Sequence, residues 1–350
     1  MSLAFLFLLL AALFFTAFVL TGLTRHYAIR KRLFDLPNER SSHTTPTPRG
    51  GGFSILLIFC FAVSFLVGWG EIGSDLFSAL VIGSGLVGGI GFWDDHAPLA
   101  PRWRILVHTL AAAWGLYCLG GFPPLDLGFA VLSLGWVGNL LALLGMVWLI
   151  NLYNFMDGID GIAGAEAVFA SIVGGVFLFW QGQEGLALVA WSLSAASAGF
   201  LCWNMPPAKV FMGDVGSGFL GYAFGILMIA SARPGTGLPL GSHNLWLWVI
   251  LLSVFIADAT VTLFRRIARS GYRIIAHRSH AYQHLSDRIG HLGTTLAITG
   301  VNLFFLFPAA YLGRRLPVLA FSLAVLALVG LGFAAIAFHA GREGDAAKPE

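Results

Sequence analysis

The sequence predicts an all-α, polytopic membrane protein, and three observations carry that reading. Of the 350 residues, 57% are hydrophobic and only 11% are charged, where ordinary soluble domains are about a quarter charged. The mean hydropathy is +0.82, so most of the chain belongs where water is not the solvent. The apolar residues also gather into runs of about 20, the length a helix needs to cross a hydrocarbon core. A soluble globule is excluded. Cys60, Cys118 and Cys202 stand in or beside separate apolar runs, which suggests neither a disulfide framework nor a cysteine metal site.

Eleven spans are predicted, at roughly 3–23, 51–70, 76–93, 104–121, 127–150, 162–181, 185–203, 217–232, 245–264, 294–312 and 316–338. The first has no basic start and no small-residue cleavage site, and Arg25, Arg30, Lys31 and Arg32 follow it. It reads as a retained anchor with its amino end outside. The stretch 35–50, rich in Ser, Thr, Pro and Arg, is the one linker-like segment. The third span closes on Asp94-Asp95, the fourth begins at Arg104, and the fifth runs into Asn151-Leu-Tyr-Asn154-Phe-Met-Asp157-Gly-Ile-Asp160-Gly. After the seventh comes Asn204-Met-Pro-Pro-Ala-Lys209-Val-Phe211-Met-Gly213-Asp214-Val-Gly216-Ser217-Gly. The ninth holds Asp258 in an apolar run, and the loop after it holds His277-Arg278-Ser279-His280-Ala-Tyr282-Gln283-His284. With the amino end outside and the carboxyl end inside, 17 of the 20 Lys and Arg residues fall inside, leaving Arg233, Arg314 and Arg315 outside. That asymmetry obeys the positive-inside rule. The Arg314-Arg315 pair, on a very short outer turn, keeps a ten-span alternative open. Residues 1–338 form a single integral-membrane domain, and 339–350 a short polar cytoplasmic tail.

Ionisable residues near membrane depth are costly and so are functional candidates. Here they gather at the inner ends of spans, on one cytoplasmic face. Many carboxylates and few thiols favour a hard, oxygen-ligated cation, Mg²⁺ or alternatively Mn²⁺, over zinc. The Arg- and His-rich loop offers cations for phosphate oxygens. The glycines at 213, 216 and 218 permit close backbone approach to a ligand. Together these point to phosphoryl transfer at a membrane surface. Each element alone also has a structural reading: Asp94-Asp95 as a span-end cap, Asp157 and Asp160 as a capped turn, Asp214 as a helix cap, and Asp258 as a helix-packing hydrogen-bonder.

Taken in this order on one face, the motifs resemble those of the polyprenyl-phosphate N-acetylhexosamine-1-phosphate transferases of glycosyltransferase family 4. The resemblance rests on Asp94-Asp95, on Asn151-x-x-Asn154-x-x-Asp157-Gly-x-Asp160-Gly, on the stretch 207–217, and on Asn38-Glu39-Arg40-x-x-His43-x-x-Pro46-x-Pro48-Arg49-Gly-Gly-Gly. It implies transfer of a sugar-1-phosphate from a UDP-sugar to undecaprenyl phosphate, with release of UMP, in a bacterial inner membrane. It further implies that Asp214 binds the metal with Asn154 in or beside its shell. Asp94 would deprotonate or position the lipid phosphate, supported by Asp95. Phe211 would stack on uracil, Asn151, Asn204, Asp157 and Asp160 would hold the nucleotide or its sugar, and His277, Arg278 and His280 would face the pyrophosphate. The form His277-Arg-Ser-His280-x-Tyr282-Gln283 departs from the adjacent histidines of many members. It is similar to the branch that starts O-antigen and other surface polysaccharides, so a 6-deoxy sugar such as N-acetylfucosamine or N-acetylquinovosamine is expected beside N-acetylglucosamine or N-acetylgalactosamine. Tyr282 is the candidate for an apolar surface facing the missing hydroxyl. The partners implied are a UDP-amino sugar, undecaprenyl phosphate and membrane lipid, with no nucleic acid and with a homodimer left open.

Two rivals stand against this reading. CDP-alcohol phosphotransferases need an Ala-Arg shortly after their Asp-Gly, and no Arg follows Asp157-Gly before position 181. A membrane transporter would carry its ionisable residues near mid-membrane, often in two related halves; only Asp258 leans that way, and no halves repeat.

Overall fold

The computed structural model describes residues 2–37, 42–233, 243–270 and 278–342. Apolar runs that cannot leave backbone groups unpaired in hydrocarbon become helices, and the described residues form a helical bundle carrying two short antiparallel strand pairs. In order, the elements are α1 (Leu3–Lys31), α2 (Phe53–Gly68), α3 (Ser74–His96), α4 (Pro101–Cys118), α5 (Gly135–Met156), α6 (Ile162–Trp180), α7 (Glu184–Asn204) and α8 (Asp214–Ser231). They continue as α9 (Asn244–Leu251), α10 (Ser253–Ser270), α11 (Ala281–Val301), a π-helical turn (Asn302–Leu306), α12 (Phe307–Arg315) and α13 (Ala320–Ala337). Strands β1 (Phe34–Asp35) and β2 (Thr47–Pro48) pair antiparallel between α1 and α2, and β3 (Leu125–Asp126) pairs with β4 (Val131–Leu132) between α4 and α5.

Each of the eleven predicted runs is helical, yet the helices differ in their fitness to span. Among the described residues eight helical segments are long and apolar enough to cross a membrane, and α9 with α10, bent by 71° at their junction, would make a ninth. Helix α2 is apolar but has only 16 residues, about 24 Å of rise against a core of about 30 Å. Arg102, Arg104 and His108 lower the apolarity of α4. Several boundaries also move. Residues 127–134, placed in the fifth span by sequence, lie in the β3–β4 hairpin and its exit, so α5 starts later and runs on to Met156. The tenth span reaches back to Ala281, giving one 35-residue segment, Ala281–Arg315.

Helix α8 is the most enclosed span, with 83% of its apolar window buried, whereas α1 is peripheral at 11%. Small residues make that enclosure achievable. A Cβ on Gly221 would stand 2.5 Å from the Leu149 carbonyl oxygen, so α8 and α5 are in backbone contact there. The consequence for function is directional: α3 and α5 end, and α4, α6 and α8 begin, at the same end of the bundle. The pair Arg314-Arg315 lies at the other end. Arg314 stacks on Trp180, at the far end of α6, 4.8 Å from the ring centre, and Arg315 lies over Tyr311.

Candidate active site

The last turn of α3 meets the first turn of α8. Asp95 is 4% exposed, and its carboxylate accepts hydrogen bonds from the backbone N–H groups of Asp214 (3.1 Å) and Val215 (3.3 Å). A helix start has unpaired N–H groups and a positive dipole end, so a carboxylate there is stabilised. Gly213 precedes that start with φ +74°, and a Cβ on it would stand 2.5 Å from an Asp95 carboxylate oxygen. Arg49 ties the same corner to the segment before α2, donating to the Asp95 carbonyl at 2.6 Å. Asp95 therefore holds the start of α8 against the end of α3.

That junction sets Asp94 and Asp214 side by side. One nitrogen of Arg104, Nη1, donates to Asp94 Oδ2 and to Asp214 Oδ2, at 2.8 Å each. The other Asp94 oxygen accepts from the Leu99 backbone at 2.6 Å, and the Asn154 side chain reaches the Asp214 carboxylate. Both acids keep some exposure, 14% for the Asp94 side chain and 27% for Asp214, so the cluster is reachable from outside. Asp157 caps α5 beside them. Burial, and then the charges of Asp214, Asp95 and Asp160, push its carboxyl well above the usual range. Asn151, one turn before Asn154 on α5, gives its amide to the Val147 carbonyl of its own helix at 2.7 Å.

A second group surrounds the loop from 157 to 161. Asp160 accepts from the Ala208 backbone at 2.9 Å and lies 3.2 Å from His291 Nδ1. Asn204 is 2% exposed; it accepts from Gly161 N and donates to the Val210 carbonyl, so it braces two loops. Phe211 is half-buried, and the ring of His43 packs edge-on against it at 4.9 Å.

The last loop departs from expectation. His277 lies outside the described residues. Arg278 pairs with Asp287 on α11. His280 is 4% exposed and sits 3.4 Å from Asp258, so its described partner is a carboxylate in place of open phosphate space. Asp258 accepts from the backbone N–H groups of Ala281 and Tyr282, at 3.0 Å each, and from Thr262. Asp258 thus caps α11 from α10. Tyr282 does not present an apolar wall either. Its ring is buried, and its hydroxyl donates to the Phe155 carbonyl at 2.9 Å, which pins the end of α5.

Sequence reasoning missed Arg104, read only as a topology determinant, and also His291 and Glu166. Glu166 was findable, being an acid within an apolar run; it is 2% exposed and accepts from Asn302 at 2.5 Å. Among the described residues no group of three His, Cys, Asp or Glu side chains could hold a metal. The donors that do converge, Asp214 and Asn154, are hard oxygens of few number, a set that fits Mg²⁺, which keeps most of its waters and binds through one or two carboxylates and phosphates. An apolar cavity of about 300 Å³ lies alongside α5, lined among others by Met146, Leu152, Met228, Trp246 and Ile256.

Comparison with known proteins gives a concordant result. Residues 77–232 match the profile of glycosyl transferase family 4. The chain is 27% identical over 304 residues to the probable undecaprenyl-phosphate N-acetylglucosaminyl 1-phosphate transferase of Bacillus subtilis (strain 168), covering 85% of this chain and 82% of that protein. It is 29% identical over 286 residues to the undecaprenyl-phosphate alpha-N-acetylglucosaminyl 1-phosphate transferase of Yersinia pestis, covering 79% and 75%. It is also 27% identical over 247 residues to the phospho-N-acetylmuramoyl-pentapeptide-transferase of Listeria monocytogenes serotype 4b (strain CLIP80459), covering 65% and 72%.

Proposed function

The chain belongs to glycosyl transferase family 4, and on that premise we propose that it transfers a sugar-1-phosphate from a UDP-sugar to undecaprenyl phosphate at the cytoplasmic face of a bacterial inner membrane. The observation that carries the reading is the Asp94–Arg104–Asp214 cluster, with Asn154 and Asp157 beside it, at one end of a membrane bundle. A site of that charge pattern suits two phosphate-bearing substrates, one soluble and one anchored in lipid. The apolar cavity beside α5 supports an acceptor with a hydrocarbon tail.

In the proposed reaction an oxygen of the lipid phosphate attacks the sugar-bearing phosphorus of the UDP-sugar. One P–O bond forms there, the bond to the bridging oxygen breaks, and UMP leaves with the electron pair. Asp94, held by Leu99 N and Arg104, positions the lipid phosphate and takes its proton where it arrives protonated. Arg104 spans the two acids and is the nearest cation for a phosphate oxygen. Phe211 offers a face for uracil, and Asp160 a polar group for the nucleotide. A Mg²⁺ ion on Asp214 and Asn154 would withdraw charge from the pyrophosphate and stabilise the leaving group. The route proposed is this direct displacement, without an aspartyl intermediate.

For the sugar, the sequence from His277 to Gln283 supports an N-acetylated amino sugar, with 6-deoxy forms such as N-acetylfucosamine or N-acetylquinovosamine placed first, ahead of N-acetylglucosamine or N-acetylgalactosamine. The product would begin O-antigen or another surface polysaccharide. The test is UMP release by purified protein with undecaprenyl phosphate across a panel of UDP-linked N-acetyl sugars, with and without Mg²⁺. Release that needs both lipid and metal is expected. Folded protein that binds UDP-sugars yet releases no UMP with any of them would overturn the reading.

A further inference from the structure

Four separate stretches of chain meet through one imidazole. His291 Nε2 lies 3.0 Å from the Ser42 carbonyl oxygen, which can only accept, so this nitrogen carries a hydrogen. Nδ1 lies 3.2 Å from Asp160 Oδ1 and 3.4 Å from the Asp160 backbone nitrogen. The second Asp160 oxygen accepts from Ala208 N at 2.9 Å, and the Asp160 carbonyl accepts from Thr295 at 3.1 Å. Three residues beyond Ala208 stands Phe211, whose ring meets His43, the neighbour of Ser42, at 4.9 Å between centres. The contacts close a circuit: Ser42, His291, Asp160, Ala208, Phe211, His43. The helix that carries His291 is broken one residue earlier, at Gly290 with φ +73°, so the imidazole stands at a kink and not within a regular turn.

We propose that His291 is a positioning residue for the nucleotide half of the substrate. This rests on the transferase reading for the reaction, but the binding claim stands apart from it. Phe211 and Asp160 lie on different loops, which Asn204 and the Ala208–Asp160 bond hold together from one side. The imidazole is the group that joins the Asp160 loop to the segment bearing His43, and His43 in turn backs Phe211. With the circuit closed, a flat base and its polar edge meet a surface already in place. With it opened, the Asp160 and Phe211 loops stay joined through Asn204 and Ala208, but the His43 segment loses its tie to Asp160, the substrate must order that flank as it binds, and affinity falls by that cost. Because the circuit does not include Asp94, Arg104 or Asp214, the chemical step is spared.

The experiment compares wild type, His291→Ala and His291→Gln. Gln can place an amide nitrogen near the position of Nε2 and keep the bond to Ser42. The expected result for His291→Ala is a KM for the UDP-sugar raised about tenfold or more, with kcat and the KM for undecaprenyl phosphate within about threefold, and recovery of most of the loss in His291→Gln. Calorimetric binding of UDP-N-acetylglucosamine to each folded protein without lipid gives a second readout that needs no turnover, and there too His291→Ala should be weaker. An unchanged KM and Kd in His291→Ala, a loss confined to kcat, an equal loss for both substrates, or a Gln variant no better than Ala would each overturn the proposal. If no protein releases UMP but the binding difference persists, the transferase reading fails and the positioning role stands.

Discussion

A single guanidinium nitrogen that serves Asp94 and Asp214 at once makes Arg104 the residue on which the charge balance of the site turns. Without it, two carboxylates from different helices face each other, and like charges at that range oppose ionisation of both. Arg104→Ala is expected to lower the rate of UMP release by about two orders of magnitude or more, the usual cost of losing a preorganised charge partner. Arg104→Lys should recover only part, since an ammonium lacks the planar fork. Turnover in Arg104→Ala within a factor of a few of wild type would remove Arg104 from the site. Asp157 makes a different prediction. Its carboxyl is raised on folding, by burial first and then by Asp214, Asp95 and Asp160. A raised acid contributes fully below its unfolded pKa of about 3.9 and loses that contribution as the pH climbs through the folded value. As the pH rises toward neutral the acid therefore becomes a liability to the metal-free protein. Asp157→Asn should raise the metal-free Tm by about 2–4 °C, the size of a 1 kcal/mol change in a larger domain. The gain should shrink toward about pH 4 and should come with loss of turnover; a lower Tm at neutral pH would contradict it. The acids were legible in the sequence because they interrupt apolar runs. Arg104 was not, because a cation beside a span reads the same whether it orients the helix or faces inward, and only the packing of α4 decides.

At the scale of elements, the polar residues inside helices prove to be joints. Asp95 holds the start of α8 and Asp258 holds the start of α11, each by two backbone N–H groups of the helix it caps. Sequence pattern shows that such an acid is present in an apolar run but not which helix end it serves, because the partners are 119 and 23 residues away. Glu166 joins α6 to the π-helical turn after α11. One of its oxygens accepts from Asn302, while its other oxygen and the Asn302 side-chain oxygen are buried without a partner. A carboxamide at 166 would bring an N–H that an unpartnered acceptor there can take. Glu166→Gln should therefore keep or raise stability, whereas Glu166→Ala, which strands the Asn302 amide, should cost about 1–3 kcal/mol. Thermal unfolding in detergent distinguishes the two. Equal destabilisation by both variants would mean that the carboxylate itself is needed there.

Across the whole molecule, helical content and the gathering of the acids at one end were legible, because length and apolarity alone make a span and because the acids sit at span ends. Span edges were less so, because polar motifs continue the helices they border: Asp94 and Asp95 lie in the last turn of α3, and Asp214 opens α8. The bend of 71° between α9 and α10 left no mark in composition at all. The structure separates two ends, one bearing Asp94, Asp214 and Lys209, the other bearing Trp180 and Arg314-Arg315. We propose from the distribution of basic residues that the first end faces the cytoplasm; at the opposite end Arg314 and Arg315 each lie over a ring, which would lower the cost of a site the positive-inside rule disfavours. Sidedness then has a direct test. Lys209 and Arg315 are both exposed. In a background with Cys60, Cys118 and Cys202 changed to Ser, Arg315→Cys should react with a membrane-impermeant maleimide on intact cells, and Lys209→Cys should react only after the membrane is opened. The reverse pattern would turn the bundle over. It would place the acid cluster outside, away from soluble nucleotide sugars, and the transferase reading would fall with the topology.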